Sequence, residues 1–300
     1  MIFILEILLF FICCISLAAY LSLFERKLIA RIQLRRGPNN CGFCGILQPI
    51  ADALKLLFKK NSLDNHSKQS IFSVLLLFSM TLMQLTLIPI PGSTFDTDYG
   101  LLLIVLCHTL IAFSEILIGL STRSKYGIIG GNRAYLQTLG GHLPFVLSII
   151  VLMLMSNTLN LKDIVTFQKD VIFMFKIFPI FVVFFIASLM NTSRIPFDFI
   201  EAESELIAGA YVEYGGILFA MIYLSEYLNL MFISALTATL FLGGYGDSSI
   251  PVLFVKTVLI ISFIILIRAI LPRYRQDQMI EISWGILSPI LLIYTILVPL

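Results

Sequence analysis

Met1-Ile-Phe-Ile-Leu-Glu6-Ile-Leu-Leu-Phe10-Phe-Ile-Cys-Cys-Ile-Ser-Leu-Ala-Ala-Tyr20-Leu-Ser-Leu-Phe24, followed at once by Glu25-Arg26-Lys27, decides the class of fold. A transmembrane helix needs about 20 mostly apolar residues, and this stretch supplies them with one interruption, Glu6. Glu6 either adds to a polar path through the membrane or, near the outer end, reaches headgroup water. A secretory leader has a basic segment ahead of a shorter apolar core. None is present, nor is an Arg- and Ser-rich presequence, so the stretch reads as a retained first span. The whole chain has the same character. Its 300 residues are 59% apolar and 13% charged, with a mean hydropathy of +0.98. Soluble domains carry roughly 25% charged residues, so a soluble enzyme, a nucleic-acid binder and a disordered scaffold are excluded.

Seven further apolar segments follow, near Ile71–Ile90, Leu101–Leu120, Leu143–Met155 with some preceding helix, Val171–Met190, Leu206–Tyr227, Val252–Leu271 and Ile282–Leu300. Leu228–Leu242 is also apolar. Tyr211–Leu242 is too long for one span and too short for two with a turn, so an interfacial or re-entrant piece is expected after the sixth span. The reading is an all-α polytopic protein, residues 1–300 forming a single membrane domain of about eight transmembrane helices; nine is the alternative.

Charge placement orients the chain. Loops 1, 3, 5 and 7 carry Arg26, Lys27, Arg31, Arg35, Arg36, Lys55, Lys59, Lys60, Lys68, Arg123, Lys125, Arg133, Arg194, Arg268, Arg273 and Arg275. The opposite loops clearly offer only Lys162 and Lys169. Basic residues accumulate on the inner side of a membrane, so both termini are expected to face outward. Loop 1 holds an amphipathic helix that does not span. Ile50, Ala51, Leu54, Leu57 and Phe58 recur at helical spacing, Asp52, Lys55 and Lys59 fall on another face, and Pro49 sits in the first turn, where its missing N–H is harmless. Such a helix lies in the interface or flaps over a hydrophobic ligand's access route. Cys13, Cys14 and Cys107 lie in apolar runs as small hydrophobes. Cys41 and Cys44 form a C-x-x-C without the second pair that a zinc site would need.

The acidic residues carry the chemistry. Loop 5 reads Arg194-Ile-Pro-Phe-Asp198-Phe-Ile-Glu201-Ala-Glu203-Ser-Glu205. On a helix, Asp198, Glu201 and Glu205 would fall within about 60° of one another, with Glu203 roughly opposite. Crowded carboxylates beside a membrane repel one another and lose water, and both effects raise a carboxyl pKa toward neutrality, where it can pass protons. Glu213 and Glu226, read as lying on one span roughly 20 Å apart, and Glu115 on the third, suggest a polar path through the lipid layer, because an intramembrane carboxylate is costly. A solvated acidic loop paired with arginines is the plainer alternative. Nucleotide-binding glycine patterns, nucleophile elbows and metal-ligand spacings are missing.

Glu25-Arg-Lys-Leu-Ile-Ala-Arg-Ile-Gln-Leu-Arg-Arg-Gly-Pro-Asn39 resembles the first matrix-side loop of subunit 1 (the H subunit in bacteria) of proton-pumping NADH:quinone oxidoreductase, respiratory complex I. Gly45-Ile-Leu-Gln-Pro-Ile-Ala-Asp-Ala-Leu-Lys55 is similar to that family's amphipathic helix. Arg194-Ile-Pro-Phe-Asp198 with Glu201, Glu203 and Glu205, then Val-Glu213-Tyr-Gly-Gly and Ser-Glu226-Tyr, resemble its acidic loop and sixth span. Pro272-Arg-Tyr-Arg-Gln-Asp277-Gln resembles its seventh loop. The blocks occur in the family's order over nearly the whole chain.

The resemblance implies a core membrane subunit that walls a quinone chamber and couples quinone reduction to proton translocation, without being catalytic alone. It implies that Glu25, Arg26, Arg35, Arg36, Asp52 and Phe197 lie near the quinone channel. It implies a proton path through Asp198, Glu201, Glu203, Glu205, Glu213 and Glu226, with Arg194 and Arg273 balancing charge. No cofactor is expected on this chain: ubiquinone is a substrate, and FMN and iron–sulfur clusters belong to partner subunits. Partners implied are peripheral-arm quinone-module subunits, through which NADH acts, neighbouring membrane-arm subunits and lipids. The family usually has a Glu at both Asn191 and His142, a Gly at Ala202, a Glu-Pro at Lys60-Asn61 and an apolar residue near Glu115. Glu115 and His142 are therefore expected either to face each other in place of the missing carboxylate, or to act apart, with Glu115 paired to Arg123 or Lys125 and His142 hydrogen-bonded to backbone. A membrane-bound hydrogenase subunit and a proton-coupled secondary transporter are the rivals, though a transporter's paired halves are not visible as a repeat. Abundant Phe, with 25 residues against one Trp, points to the mitochondrial inner membrane; a bacterial plasma membrane is the alternative.

Overall fold

The computed structural model describes residues 2–59, 68–90, 97–169, 171–201, 203–246 and 250–298. Lys60, Asn61 and Ala202 lie outside the described residues. Among those described, the chain is all-helical. The helices are α1 (Ile2–Ile32), α2 (Gln48–Phe58), α3 (Lys68–Thr86), α4 (Gly100–Ser121), α5 (Lys125–Ser156), α6 (Leu161–Phe167), α7 (Phe173–Lys176), α8 (Phe178–Asn191), α9 (Glu203–Leu206), α10 (Gly216–Phe241), α11 (Ile250–Ile270), α12 (Gln276–Ile280) and α13 (Ser288–Leu297). A π-helical segment, Glu281–Leu287, joins the last two. Seven helices are long and apolar enough to cross a membrane, and α8 is a shorter apolar helix. Together they correspond to the eight expected spans.

Local chemistry sets several ends. Ser124 caps α5 by accepting a 3.1 Å hydrogen bond from Gly127 N, and Asn157 closes it in the left-handed region. Pro179 stands in the first turn of α8. It helps to start that helix later than the apolar run Val171–Met190 suggests.

The sixth span departs most from expectation. Leu228–Leu242 is neither interfacial nor re-entrant: α10 runs unbroken from Gly216 to Phe241, and its second half is almost wholly buried. Leu206–Gly215 is instead a folded loop. Gly209 and Gly216 both adopt positive φ, 50° and 56°, which glycine tolerates without strain. The loop is pressed onto α5, where a β-carbon on Gly130 would stand 2.4 Å from Ala210 N. Between α4 and α5, a β-carbon on Gly119 would stand 2.5 Å from Gly131 Cα. Small residues are what let membrane helices approach this closely.

Candidate functional site

Loop 5 is not helical through its acidic stretch, so the shared helix face expected for Asp198, Glu201 and Glu205 does not form. Pro196 removes a donor and disfavours helix at Ile195; Ser193 has a φ of 52°, and Phe197 N donates to Arg194 O at 2.7 Å. Buried Phe197, Phe199, Ile200 and Leu206 anchor the loop. Asp198 and Glu201 are left half-buried between these anchors. Phe197 stacks on Tyr274, ring centroids 5.5 Å apart, and Tyr274 N donates to Pro196 O at 3.0 Å. Loop 7 thus braces loop 5.

The basic loops converge on one end of the bundle. Glu25 is buried between two guanidinium groups, those of Arg194 and Arg268, and is ion-paired to both. Arg194 also lies over the Tyr227 ring, 4.4 Å from its centroid. The resemblance implies Glu25 beside a channel and Arg194 among the acidic residues; the structure joins them in one cluster. Arg268 is a member that the resemblance does not single out.

A polar chain runs outward from this cluster. Tyr227 and Tyr223 share a 3.1 Å hydrogen bond between hydroxyls, and Tyr223 lies within hydrogen-bonding reach of Arg26. Arg26 Nη1 pairs with Asp52 Oδ2 at 3.0 Å, and Gln48 Nε2 donates to Asp52 Oδ1 at 2.9 Å. Asp52 is thus turned toward α1, while Ile50, Leu54, Leu57 and Phe58 of α2 are exposed. A cleft of about 710 Å³ opens here, lined by Arg26, Arg35, Arg36, Asn39 and Gln48 among others. Phe197 does not line it.

The other direction leads inward. Glu226, half-buried on α10, has Glu201, Arg194, Glu115 and Asp198 as its electrostatic neighbours. The Tyr211 hydroxyl faces Glu226, Glu115 and Glu201. Two acidic residues stand apart. Glu213 precedes α10 and is exposed, so the pair of carboxylates expected on one span does not exist. Glu205 is exposed and ion-paired to Arg133. That hydrogen bond, with Arg273 nearby, holds its carboxyl below the usual range, the reverse of what crowding among carboxylates alone would do. Arg273 lies over the Phe199 ring, 5.5 Å from its centroid. It lines a cleft of about 440 Å³ with Arg133, Glu205 and Arg275. Glu203 begins α9, and its side chain lies outside the described residues.

Glu115 and His142 line one small cleft, together with a residue to which the sequence alone assigns no role. His108 of α4 is buried, its ring 4.7 Å from that of His142. A signal for it exists: a histidine inside an apolar span, seven residues before Glu115 and therefore on the same helix face. Tyr211 and Tyr223 are likewise members that only the structure reveals. Beyond the histidines, Asn229 Nδ2 donates to Asn191 O at 3.2 Å, and Gln84 Nε2 to Asn229 Oδ1 at 3.2 Å. No group of three or more His, Cys, Asp or Glu residues placed to hold a metal ion occurs among the described residues.

The comparisons with known proteins agree with the sequence resemblance. A family model described as NADH dehydrogenase matches residues 5–299. NADH-ubiquinone oxidoreductase chain 1 of Cyanidium caldarium is 40% identical over 293 residues, covering 93% of this chain and 85% of that one. The protein of the same name from Emballonura alecto is 36% identical over 297 residues, covering 97% and 93%. The H subunit of NADH-quinone oxidoreductase from Rickettsia canadensis (strain McKiel) is 38% identical over 296 residues, covering 93% and 87%. Near-complete coverage on both sides settles the family: the protein belongs to the NADH dehydrogenase family that includes these chain 1 proteins and the H subunit.

Proposed function

We propose that this chain is the core membrane subunit of an NADH:quinone oxidoreductase, in which it binds the quinone and couples its reduction to proton movement. The observation that carries the reading is the polar chain Asp52–Arg26–Tyr223–Tyr227–Glu25/Arg194, which continues to Glu226. One end opens at the cleft beneath α2, and the other lies among carboxylates inside the bundle.

Reducing a quinone takes two electrons and two protons. In this reading the electrons come from partner subunits, which carry FMN and the iron–sulfur clusters; this chain carries none. Arg26 lines the cleft and can donate a hydrogen bond to a quinone oxygen, while Asp52, paired to it from α2, fixes its position. The exposed apolar face of α2 lies against lipid or along the tail. A change of charge at the quinone is felt at Glu25 and Arg194, because Coulomb interactions are weakly screened away from water. The carboxylates around Tyr211 then take up or release protons. The partners are the other subunits of the complex, with quinone-module subunits against loops 1, 5 and 7. The mitochondrial inner membrane is the proposed location.

Replacing Asp52 by Asn in the assembled enzyme tests the site. The expected result is a KM for quinone raised about tenfold or more, equivalent to roughly 1.4 kcal/mol. An unchanged KM and rate would refute a quinone site at this cleft. Migration on a native gel as a megadalton particle is the companion expectation; a particle near the monomer mass would favour a stand-alone transporter.

A further inference from the structure

Three buried polar atoms near one small cleft have no hydrogen-bond partner: Nδ1 of His108, Nε2 of His142 and Oε1 of Gln137. The cleft lies between α4, α5 and the end of α8 and is also lined by Glu115, Asn191 and Ser193. None of the three atoms can readily turn away. The Gln137 amide nitrogen is held by Met190 O at 2.7 Å and Ser193 Oγ at 3.1 Å. His142 hydrogen-bonds the backbone of His108, and His108 meets the Asn191 side chain. A β-carbon on Gly141 would fall 2.4 Å from Asn191 Oδ1, so that amide is itself confined.

An unsatisfied buried polar atom costs about 1–3 kcal/mol. Three of them fixed around one space call for a shared partner. The cleft offers about 10 Å³, the scale of one water, and a buried water makes about three hydrogen bonds. The His142 nitrogen that faces a backbone carbonyl carries hydrogen, which leaves Nε2 as an acceptor.

We propose that this cleft binds one ordered water between His108, His142 and Gln137, and that the hydrated imidazole pair relays protons from Glu115. The inference rests on the proton path proposed above and extends it past its last carboxylate. Glu115 and His108 are seven residues apart on one face of α4, roughly 10 Å along the axis. In one transfer the water gives a proton to Nε2 of His142 as it takes one from the Glu115 carboxyl. A carboxylate remains on Glu115, an imidazolium forms, and no electron moves. In the reverse transfer His142 gives its proton back to the water as the water returns one to the Glu115 carboxylate, so both groups are restored and the imidazole pair holds the proton at the inner end of the path.

The test joins a density map of the assembled enzyme, at a resolution that shows waters, with the variants His142→Gln and Glu201→Gln. The expected map has one water within hydrogen-bonding distance of all three atoms. His142→Gln can hold that water but cannot take up its proton. It should lower NADH-driven quinone reduction at least roughly tenfold, with the amount of assembled enzyme measured by NADH-activity staining on a native gel. A dry cleft, or one filled by a neighbouring subunit's side chain, overturns the proposal. Unchanged coupling in His142→Gln with loss in Glu201→Gln overturns the imidazole relay alone; unchanged coupling in both overturns the path beneath it. Should His142→Gln not assemble, Gln137→Leu removes one of the water's partners, and an undiminished rate in that variant is equally fatal.

Discussion

Glu25 shows how strongly a single residue can depend on its surroundings. Its carboxylate is buried and satisfied by Arg194 and Arg268. Removing one member of a buried ion pair leaves the other charge without compensation, at about 3–5 kcal/mol. Arg194→Met should therefore lower the thermal midpoint of the assembled enzyme markedly, whereas Arg268→Met, at the more exposed position, should do so less. Equal and negligible shifts in a melting experiment would argue against this cluster as the keystone of the bundle end. Glu205 behaves differently. Its carboxyl is held below the usual range by Arg133, so the stabilisation is present at neutral pH and is lost as pH falls through the lowered value. Because the pair is exposed, about 0–1 kcal/mol is at stake. Glu205→Gln should cost little stability at pH 7, and the difference from wild type should vanish in acid. A difference that grows in acid would mean that Arg133 does not lower the Glu205 carboxyl.

Among the elements, α4 and α5 are set by glycine. Gly119→Ala would force a β-carbon into the Gly131 backbone and should destabilise the pair by about 1–3 kcal/mol, read as a lowered melting temperature of the complex; wild-type stability would mean the helices can separate without loss. Elements also show what the sequence could convey. Lipid demands long apolar runs, so α1, α3, α4, α11 and the second half of α5 are legible from run length alone. α10 is not, because Leu206–Leu242 is largely apolar, with Glu213 and Glu226 as its only charges, and its break depends on positive-φ glycines and on packing against Gly130. The non-helical acidic loop is legible in part: Pro196 argues against a helix through Asp198, but the carboxylates themselves recur at helical spacing and point the other way. α2 is legible as amphipathic. That Asp52 turns inward to Arg26 depends on a tertiary contact 26 residues away in sequence.

At the scale of the whole molecule, the basic loops anticipate the geometry, since Arg194 and Arg268 meet at Glu25, and Arg133 and Arg273 line one cleft. The site is readable where it is made of carboxylates, which stand out in an apolar chain. It is unreadable where it is made of tyrosines and His108, which are ordinary in helices until a partner on another helix gives them a role. In the proposed function, Glu226 lies on the route coupling quinone chemistry to proton movement. The most direct test is the membrane potential that NADH generates across sealed vesicles holding the assembled Glu226→Gln enzyme. The expected result is loss of the potential and of quinone reduction together, at least roughly tenfold, while the complex remains intact on a native gel. A full potential at the wild-type rate would contradict it.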